Sequence, residues 1–240
     1  MSTESRVPAI WAIVPAAGRG ERLGSAIPKQ YLALAGSRVI VHAIRRLLAH
    51  PQTAGVIVAL AEDDSHWSGL RANFDKPVLT CVGGATRAQS VLAALHALPD
   101  SVDDATLIVV HDAARPCLDA DDLEHVIDAA GLDAVGALLA LSVTDTLKRA
   151  DLSYRVLATE AREQFWRAQT PQVFRRGLLI RALTEAEAAG ATVTDESMAV
   201  ERLGMRPQLV EGSADNIKIT VASDLLQAEQ ILLRQARMSA

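Results

Sequence analysis

The sequence has little cysteine, no long apolar run and no excess of positive charge, and each absence excludes a class of protein. Its two cysteines, Cys81 and Cys117, lack CxxC spacing and are too few for a disulfide scaffold. No apolar stretch approaches the length that crosses a bilayer, and residues 1–8 contain no signal-peptide core. A net charge of −5 argues against a surface that coats nucleic acid. We therefore expect a cytoplasmic protein that binds neither nucleic acid nor membrane.

The chain also lacks internal repeats, low-complexity tracts and linkers rich in proline, glycine or serine. We therefore expect residues 1–240 to form a single domain, and a hydrophobic content of 50% lets this domain bury a large core. Short apolar runs alternate along the chain with amphipathic stretches. This alternation predicts a Rossmann-like α/β fold, with a mostly parallel sheet covered by helices on both faces.

The individual elements follow from the same alternation. The predicted strands are Ala9–Pro15, Gly55–Leu60, Val78–Val82, Thr106–Val110, Ala134–Leu141 and a last strand near Ile217–Val221. The predicted helices are Val39–Ala49, Ala88–Leu98, Asp121–Ala130, Arg175–Ala189, Asp195–Leu203 and Asp224–Arg237.

Residues 143–162 interrupt the alternation. Val143–Ala150 and Tyr154–Thr159 flank a polar turn and carry too few apolar residues to form a core layer. This pattern predicts a protruding β-hairpin arm. Because an isolated hairpin is marginally stable in water, we expect the arm to pack against a partner, most simply in a two-fold homodimer.

The loop after the first predicted strand carries glycines and basic residues. Ligands of open α/β sheets bind beyond the carboxyl ends of the strands, which makes this loop a candidate site. Its glycines let backbone N–H groups approach an anion, and the small Ala16 and Ala17 leave room for a ribose or a base. Arg22 and Lys29 add charge that neutralises a polyphosphate. The glycine spacing fits neither the Rossmann fingerprint nor the P-loop.

The segment Val82–Ser90 joins a predicted strand to a predicted helix. Its paired glycines, Gly83 and Gly84, allow close approach of a ligand, whereas Thr86 is suited to cap the helix. From these residues alone, a structural turn and a binding loop remain open.

Charged residues also occur at three later points of the chain. Asp112 and Arg115 follow a strongly apolar strand, where a charge is costly to bury unless it is paired internally or bound to a ligand. Thr194 or Asp195 is suited to cap a helix, and Lys218 is compatible with an edge charge of the last strand. Binding roles and structural roles are both open at these positions.

Four strings occur in order: PAAG at 15–18, PKQY at 28–31, HDAARP at 111–116 and DNIKIT at 215–220. Together they resemble the 2-C-methyl-D-erythritol 4-phosphate cytidylyltransferase family, and the resemblance extends over about residues 12–224. It implies a nucleotidyltransferase domain that transfers CMP from CTP to 2-C-methyl-D-erythritol 4-phosphate. The products are 4-diphosphocytidyl-2-C-methyl-D-erythritol and pyrophosphate, in the non-mevalonate isoprenoid precursor pathway.

The resemblance also implies roles for individual residues. The cations that act on the transferring and attacking phosphates are Arg22, Lys29, Arg162 and Lys218. The residues that bind CTP are Ala16, Ala17, Gly18, Gly84 and Ser90. The residues that contact the sugar phosphate, some of them across a dimer interface, are Asp112, Arg115, Thr146, Thr170 and Thr194. Arg155 or Arg167 are alternatives to Arg162, and family members often have an acidic residue in place of Ala85.

The sequence has no dense set of metal-ligating residues, so we expect Mg²⁺ to be held mainly by the CTP phosphates rather than by protein. The nearest alternative is a ribitol 5-phosphate cytidylyltransferase, whose relatives tend to have a Gly-Gly pair in place of Ala16-Ala17. A hexose 1-phosphate nucleotidyltransferase is disfavoured by PKQY and the arm. A nucleotide-sensing module without catalysis is disfavoured because the cation positions are all present.

Overall fold

The computed structural model describes residues 9–18, 27–70 and 72–238. The strands in these ranges are β1 (Ile10–Pro15), β2 (Ala33–Leu34), β3 (Ser37–Arg38), β4 (Thr53–Leu60), β5 (Val78–Val82), β6 (Leu107–Val110), β7 (Gly136–Ser142), β8 (Leu147–Ala150), β9 (Val156–Glu160), β10 (Trp166–Arg175) and β11 (Gln208–Glu211). The helices are α1 (Val39–Ala49), α2 (Arg87–His96), α3 (Ala120–Leu132), α4 (Arg176–Ala188), α5 (Glu196–Arg202) and α6 (Ala222–Met238).

A seven-stranded sheet in the order β11-β7-β10-β6-β1-β4-β5 forms the centre of the fold. β1 pairs in parallel with β4 and β6, and β10 alone runs antiparallel to its neighbours β6 and β7. The prediction of a mostly parallel sheet is confirmed. Since the parallel strands end at one edge, the loops after β1, β5 and β6 meet there.

Helices cover both faces of this sheet, as the apolar strands predicted. Ile13 and Val14 point to opposite faces, as successive strand residues must. The Val14 face packs against α1 and α3, and the Ile13 face packs against α2, α4 and α5. Among the described helices, none is both long and apolar enough to cross a membrane.

The predicted last strand at Ile217–Val221 is wrong, because this segment joins no sheet. Ile219 is buried, but its N–H donates to Ala114 O at 2.8 Å and its carbonyl accepts from Lys29 Nζ at 3.1 Å. The alternation of apolar residues therefore reflects packing against a loop and α6 rather than strand pairing. The sequence also left β10 and β11 unpredicted.

β8 and β9 form a separate two-stranded antiparallel hairpin within residues 143–162. The turn is closed by the Asp151 carboxylate, which accepts hydrogen bonds from the backbone N–H groups of Ser153 and Arg155. Leu152 and Tyr154 are 102% and 93% exposed. The hairpin thus presents apolar side chains to solvent rather than to the core.

Candidate active site

A cleft opens at the carboxyl edge of the sheet, where the loops after β1, β5 and β6 converge. Several residues proposed from the sequence line this cleft together, namely Ala16, Ala17, Gly18, Lys29, Gly84, Ser90, Asp112 and Lys218. Sequence-distant motifs are thus brought to one place by the parallel topology. Of the four proposed cations, Lys29 and Lys218 are thus in the cleft, whereas Arg22 lies outside the described residues.

A buried glutamine, Gln30, holds the loop after β1 in place through two hydrogen bonds. Gln30 Nε2 donates to Ala16 O at 2.8 Å and to Gly18 O at 3.1 Å. These bonds fix the backbone of the proposed phosphate loop, and they place Lys29, the neighbour of Gln30, in the cleft wall. Gln30 belongs to the PKQY string, but no feature of that string separately predicted this supporting role.

The loop after β5 is shaped by Ser90 and by two glycines. Ser90 Oγ donates to Thr86 O at 2.9 Å and accepts from Gly84 N at 3.2 Å. A Cβ at Gly83 would lie 2.8 Å from Ala17 Cβ, so only glycine allows the β1 and β5 loops to approach this closely. Thr86 caps α2 through a capping box with Gln89, as its position predicted.

Asp112, directly after β6, lies at the centre of the charges in the cleft. Its Oδ2 lies 2.8 Å from Lys218 Nζ and 3.7 Å from Arg115 Nε, and its Oδ1 accepts from Arg87 Nε at 3.2 Å. Burial alone would favour the protonated acid, but Arg87 and Lys218 outweigh it and hold the pKa of Asp112 well below its usual range. Asp112 is therefore an anion that orders several cations.

Arg87 and Glu196 are the residues of this network that sequence reasoning missed. Arg87 Nη1 donates to Glu196 Oε1, and Glu196 is fully buried at the start of α5. Burial opposes the charge of Arg87, yet Glu196 and Asp112 outweigh it and raise the pKa of the guanidinium. The available signal was the strand-end carboxylate at Asp112, which needs cationic partners when buried.

A neutral histidine supports the backbone of Asp112. His111 Nδ1 lies 3.1 Å from Thr170 Oγ1, which accepts from Asp112 N at 3.0 Å, and His111 Nε2 lies 2.9 Å from Arg115 O. Burial lowers the pKa of His111 to about 4, so the ring is uncharged at neutral pH. The hydroxyl of Thr170 was proposed to contact the substrate. In the structure it contacts the His111 ring and the backbone N–H of Asp112.

The remaining proposed substrate residues differ in placement. Arg115 lies beside the cleft, where its Nη1 donates to Asn216 O at 2.5 Å. Thr194 is exposed just before Asp195, and it is Asp195 that caps α5. Thr146 and Arg162 are exposed on the hairpin segment. None of Thr146, Arg162 and Thr194 is among the described residues that line the cleft.

Comparison with known proteins identifies the family. The family model described as IspD, 2-C-methyl-D-erythritol 4-phosphate cytidylyltransferase, matches residues 10–234. The chain belongs to this family. The resemblance stated from the sequence strings is thereby confirmed, and the family consists of nucleotidyltransferases.

Individual relatives are similar in sequence or structure over nearly the whole chain. A 2-C-methyl-D-erythritol 4-phosphate cytidylyltransferase of Xanthomonas campestris is 56% identical over 228 residues, which cover 95% of this chain and 86% of the relative. The enzyme of that name from Stenotrophomonas maltophilia is 54% identical and is covered to 98%. A crystal structure of 4-diphosphocytidyl-2C-methyl-D-erythritol synthase, 35% identical, superposes with a TM-score of 0.81 over 94% of this chain and 99% of that chain.

Proposed function

We propose that the chain transfers CMP from CTP to 2-C-methyl-D-erythritol 4-phosphate, releasing pyrophosphate, as a cytoplasmic enzyme of the non-mevalonate isoprenoid precursor pathway. Family membership supports the substrates, since the relatives carry this activity in their names. The observation that carries the proposal is the meeting of Lys29 and Lys218 in one glycine-rich cleft at the carboxyl edge of the sheet. Such a cleft can accommodate two anions side by side, a nucleoside triphosphate and a sugar phosphate.

In the reaction, a phosphate oxygen of the acceptor attacks the α-phosphorus of CTP. The new O–P bond forms as the bond from the α-phosphorus to the bridging oxygen breaks, and pyrophosphate leaves with that electron pair. Both reactants are anions, so repulsion and charge on the bridging oxygen dominate the barrier. Positioned cations lower it, and no covalent enzyme intermediate is needed.

Individual cations divide this work. Lys29, together with Arg22, neutralises the transferring phosphate of CTP, and Lys218 holds the attacking phosphate. The small residues Ala16 and Ala17 and the loop around Gly84 leave space for the nucleoside. Asp112 holds the Lys218 ammonium in a fixed orientation, at 2.8 Å, until the acceptor phosphate arrives.

We further propose that Mg²⁺ is held mainly by the CTP phosphates. Asp112 is the carboxylate that lines the described part of the cleft, and it already contacts Arg87 and Lys218. In the ranges that the structure describes, no group of three or more His, Cys, Asp or Glu residues is arranged to hold a metal. A site with few protein ligands fits Mg²⁺, which retains water and binds polyphosphates, where it neutralises their charge.

We also propose a homodimer in which the hairpin segment of one chain reaches the cleft of the other. The support is twofold. Apolar side chains of the hairpin, including Leu152 and Tyr154, are exposed, and Thr146 and Arg162 are not in the described lining of their own cleft. Arg155 on the hairpin and Arg167 in β10 are also exposed and remain alternatives for Arg162.

A substrate panel tests the proposed function. With purified protein, we expect pyrophosphate release only when CTP, Mg²⁺ and 2-C-methyl-D-erythritol 4-phosphate are present together. Ribitol 5-phosphate and a hexose 1-phosphate, at matched concentration, serve as alternative acceptors and are expected to react poorly. Faster turnover with ribitol 5-phosphate would move the assignment to the alternative cytidylyltransferase.

A further inference from the structure

A chain of alternating charges runs from the interior to the cleft through Glu196, Arg87, Asp112 and Lys218. Glu196, whose side chain is 1% exposed, accepts from Arg87 Nη1, and Arg87 Nε donates to Asp112 Oδ1 at 3.2 Å. The other oxygen of Asp112 lies 2.8 Å from Lys218 Nζ. Because different cations hold its two oxygens, the carboxylate of Asp112 has one defined orientation.

This charge chain connects segments that are far apart in the sequence. Arg87 is the first residue of α2 and Glu196 is the first residue of α5. Glu196 is itself held in place, since Gln172 of β10 donates to Asp195 Oδ2 at 2.9 Å and accepts from Ser197 N at 2.8 Å. Glu196 is not part of the described cleft lining, and its hydrogen-bonded contact with a lining residue is Arg87, so we expect its effect on bound substrate to pass mainly through Arg87.

Stability alone does not account for this arrangement. A buried ion pair is weak support for a fold, because the cost of desolvating both charges offsets their attraction. Burial raises the pKa of Glu196 while Arg87 acts in the opposite direction, as expected where desolvation opposes the attraction of a buried pair. What a guanidinium supplies is geometry, since its planar fork reaches two carboxylates at fixed angles, which an ammonium cannot do.

We propose that Arg87 and Glu196 are positioning residues for the transfer reaction, which orient Asp112 and, through it, the ammonium of Lys218 at the attacking phosphate. The inference rests on the proposed function and adds two residues to it. Without the pair, Asp112 Oδ1 loses its cationic partner, and Lys218 contacts a carboxylate that is no longer held from both sides. A displacement of about 1 Å at a reacting group costs on the order of 10²-fold in rate.

A double-mutant cycle tests the proposal with pyrophosphate release and calorimetric CTP binding as separate readouts. We expect Arg87→Gln to lower kcat ~10²-fold while the Kd for CTP changes less than about threefold, because the misplaced group acts on the acceptor side. Glu196→Gln should lower kcat by roughly tenfold in the wild-type background. In the Arg87→Gln background it should change kcat less than about twofold, because its effect passes through Arg87.

Arg176→Gln is the matched control. Arg176 is also the first residue of a helix, α4, and its Nη1 lies 2.7 Å from the Asp104 carboxylate, but it is not in the cleft lining. This variant should keep kcat within about twofold of wild type. If Arg87→Gln does not fold, Arg87→Lys replaces it. Arg87→Lys keeps the positive charge but lacks the planar guanidinium, and it should show the same fall in kcat at unchanged CTP affinity.

Two results would overturn the proposal. Additive losses in the double variant would show that Glu196 acts independently of Arg87. A large rise in the Kd for CTP at unchanged kcat would make Arg87 a nucleotide-binding group instead. Failure of the proposed function is distinguishable from both, because the wild-type protein would then release no pyrophosphate with CTP and 2-C-methyl-D-erythritol 4-phosphate.

Discussion

At the scale of single residues, Lys29 shows how much one cation contributes to the proposed reaction. Loss of one preorganised group at a transferring phosphate costs about 3–4 kcal/mol of transition-state stabilisation. We therefore expect Lys29→Ala to lower kcat ~10²–10³-fold. The thermal unfolding midpoint should change little, because Lys29 lies in a short turn that lines the cleft rather than in the core. Steady-state pyrophosphate release and a thermal melt measure the two effects.

Lys76 provides the control for this substitution. Its Nζ donates to His50 O at 2.8 Å and it does not belong to the described cleft lining. Lys76→Ala should therefore retain kcat near the wild-type value. A folded Lys29→Ala protein with a similarly normal kcat would remove Lys29 from the mechanism.

The cleft residues differ in how far they could be predicted from sequence. Lys29, Asp112 and Lys218 stand in the strings PKQY, HDAARP and DNIKIT, and the resemblance of these strings to the family implied that the three residues act at one site. Arg87 was missed although it lies in the quoted loop, because its partners Asp112 and Glu196 are 25 and 109 residues away in the chain. Those contacts depend on where the tertiary fold places the starts of α2 and α5, which no local pattern encodes.

At the scale of elements, the segment around Ile219 shows what an alternating pattern does and does not predict. The pattern fits the inward-facing side chain of Ile219, which packs with Val39, Cys117 and Ala228. It wrongly predicted strand pairing, because its hydrogen-bond partners are a loop carbonyl and a lysine. Side-chain period and backbone ladder are separate properties, and only the first is visible in the sequence.

We expect Ile219→Ala to destabilise the protein by about 2–5 kcal/mol, since it removes a fully buried side chain from a packed cluster. Because the Ile219 carbonyl accepts from Lys29 and Lys218 is the preceding residue, kcat of the folded variant should also fall. Denaturant unfolding and steady-state assays at low temperature separate the two effects.

Leu226→Ala on α6 is the matched control, since Leu226 is 70% exposed. Its effect on the free energy of unfolding should stay within about 0.5 kcal/mol. If Ile219→Ala were as mild as this control, the segment would not be anchored by its side chain, and its place in the cleft would need another explanation.

β10 was missed for a different reason. It contains Pro171 within a polar run, and proline in a central strand removes a ladder hydrogen bond. The strand accommodates it at an irregularity, where its register against β7 shifts between Ala168 and Gln172. The polar residues at this break, Thr170 and Gln172, are the ones that support Asp112 and α5. The local departure from strand rules thus coincides with the scaffold of the site.

At the scale of the whole molecule, apolar runs alternating with amphipathic stretches were enough to predict helices on both faces of a mostly parallel sheet. The strand order could not be predicted from the sequence. It is decided by which connections cross over and by the antiparallel insertion of β10 between β6 and β7. The edge at which ligands bind was nevertheless predictable, since it depends only on strand direction.

The last prediction concerns the assembly, in which each cleft would be completed by the hairpin segment of a second chain. If Arg162 acts in the partner's cleft, two inactive variants should complement each other. Lys29→Ala damages the loop of a cleft, and Arg162→Ala damages the segment that a chain donates. In a mixed dimer with two-fold exchange, one cleft collects both lesions and the other has an intact loop and an intact donated segment, so about half of the sites are intact.

The measurement is co-expression of the two variants with different tags, isolation of the doubly tagged species and a pyrophosphate-release assay. Each variant alone, carried through the same purification, is the control, and both should be nearly inactive. We expect the mixed species to recover about half of the wild-type activity per dimer. If the segment served its own chain, every cleft would carry one lesion and no activity would return. An inactive mixed dimer, or a protein that sediments as a monomer at assay concentration, would therefore leave Arg162 without a role at the cleft.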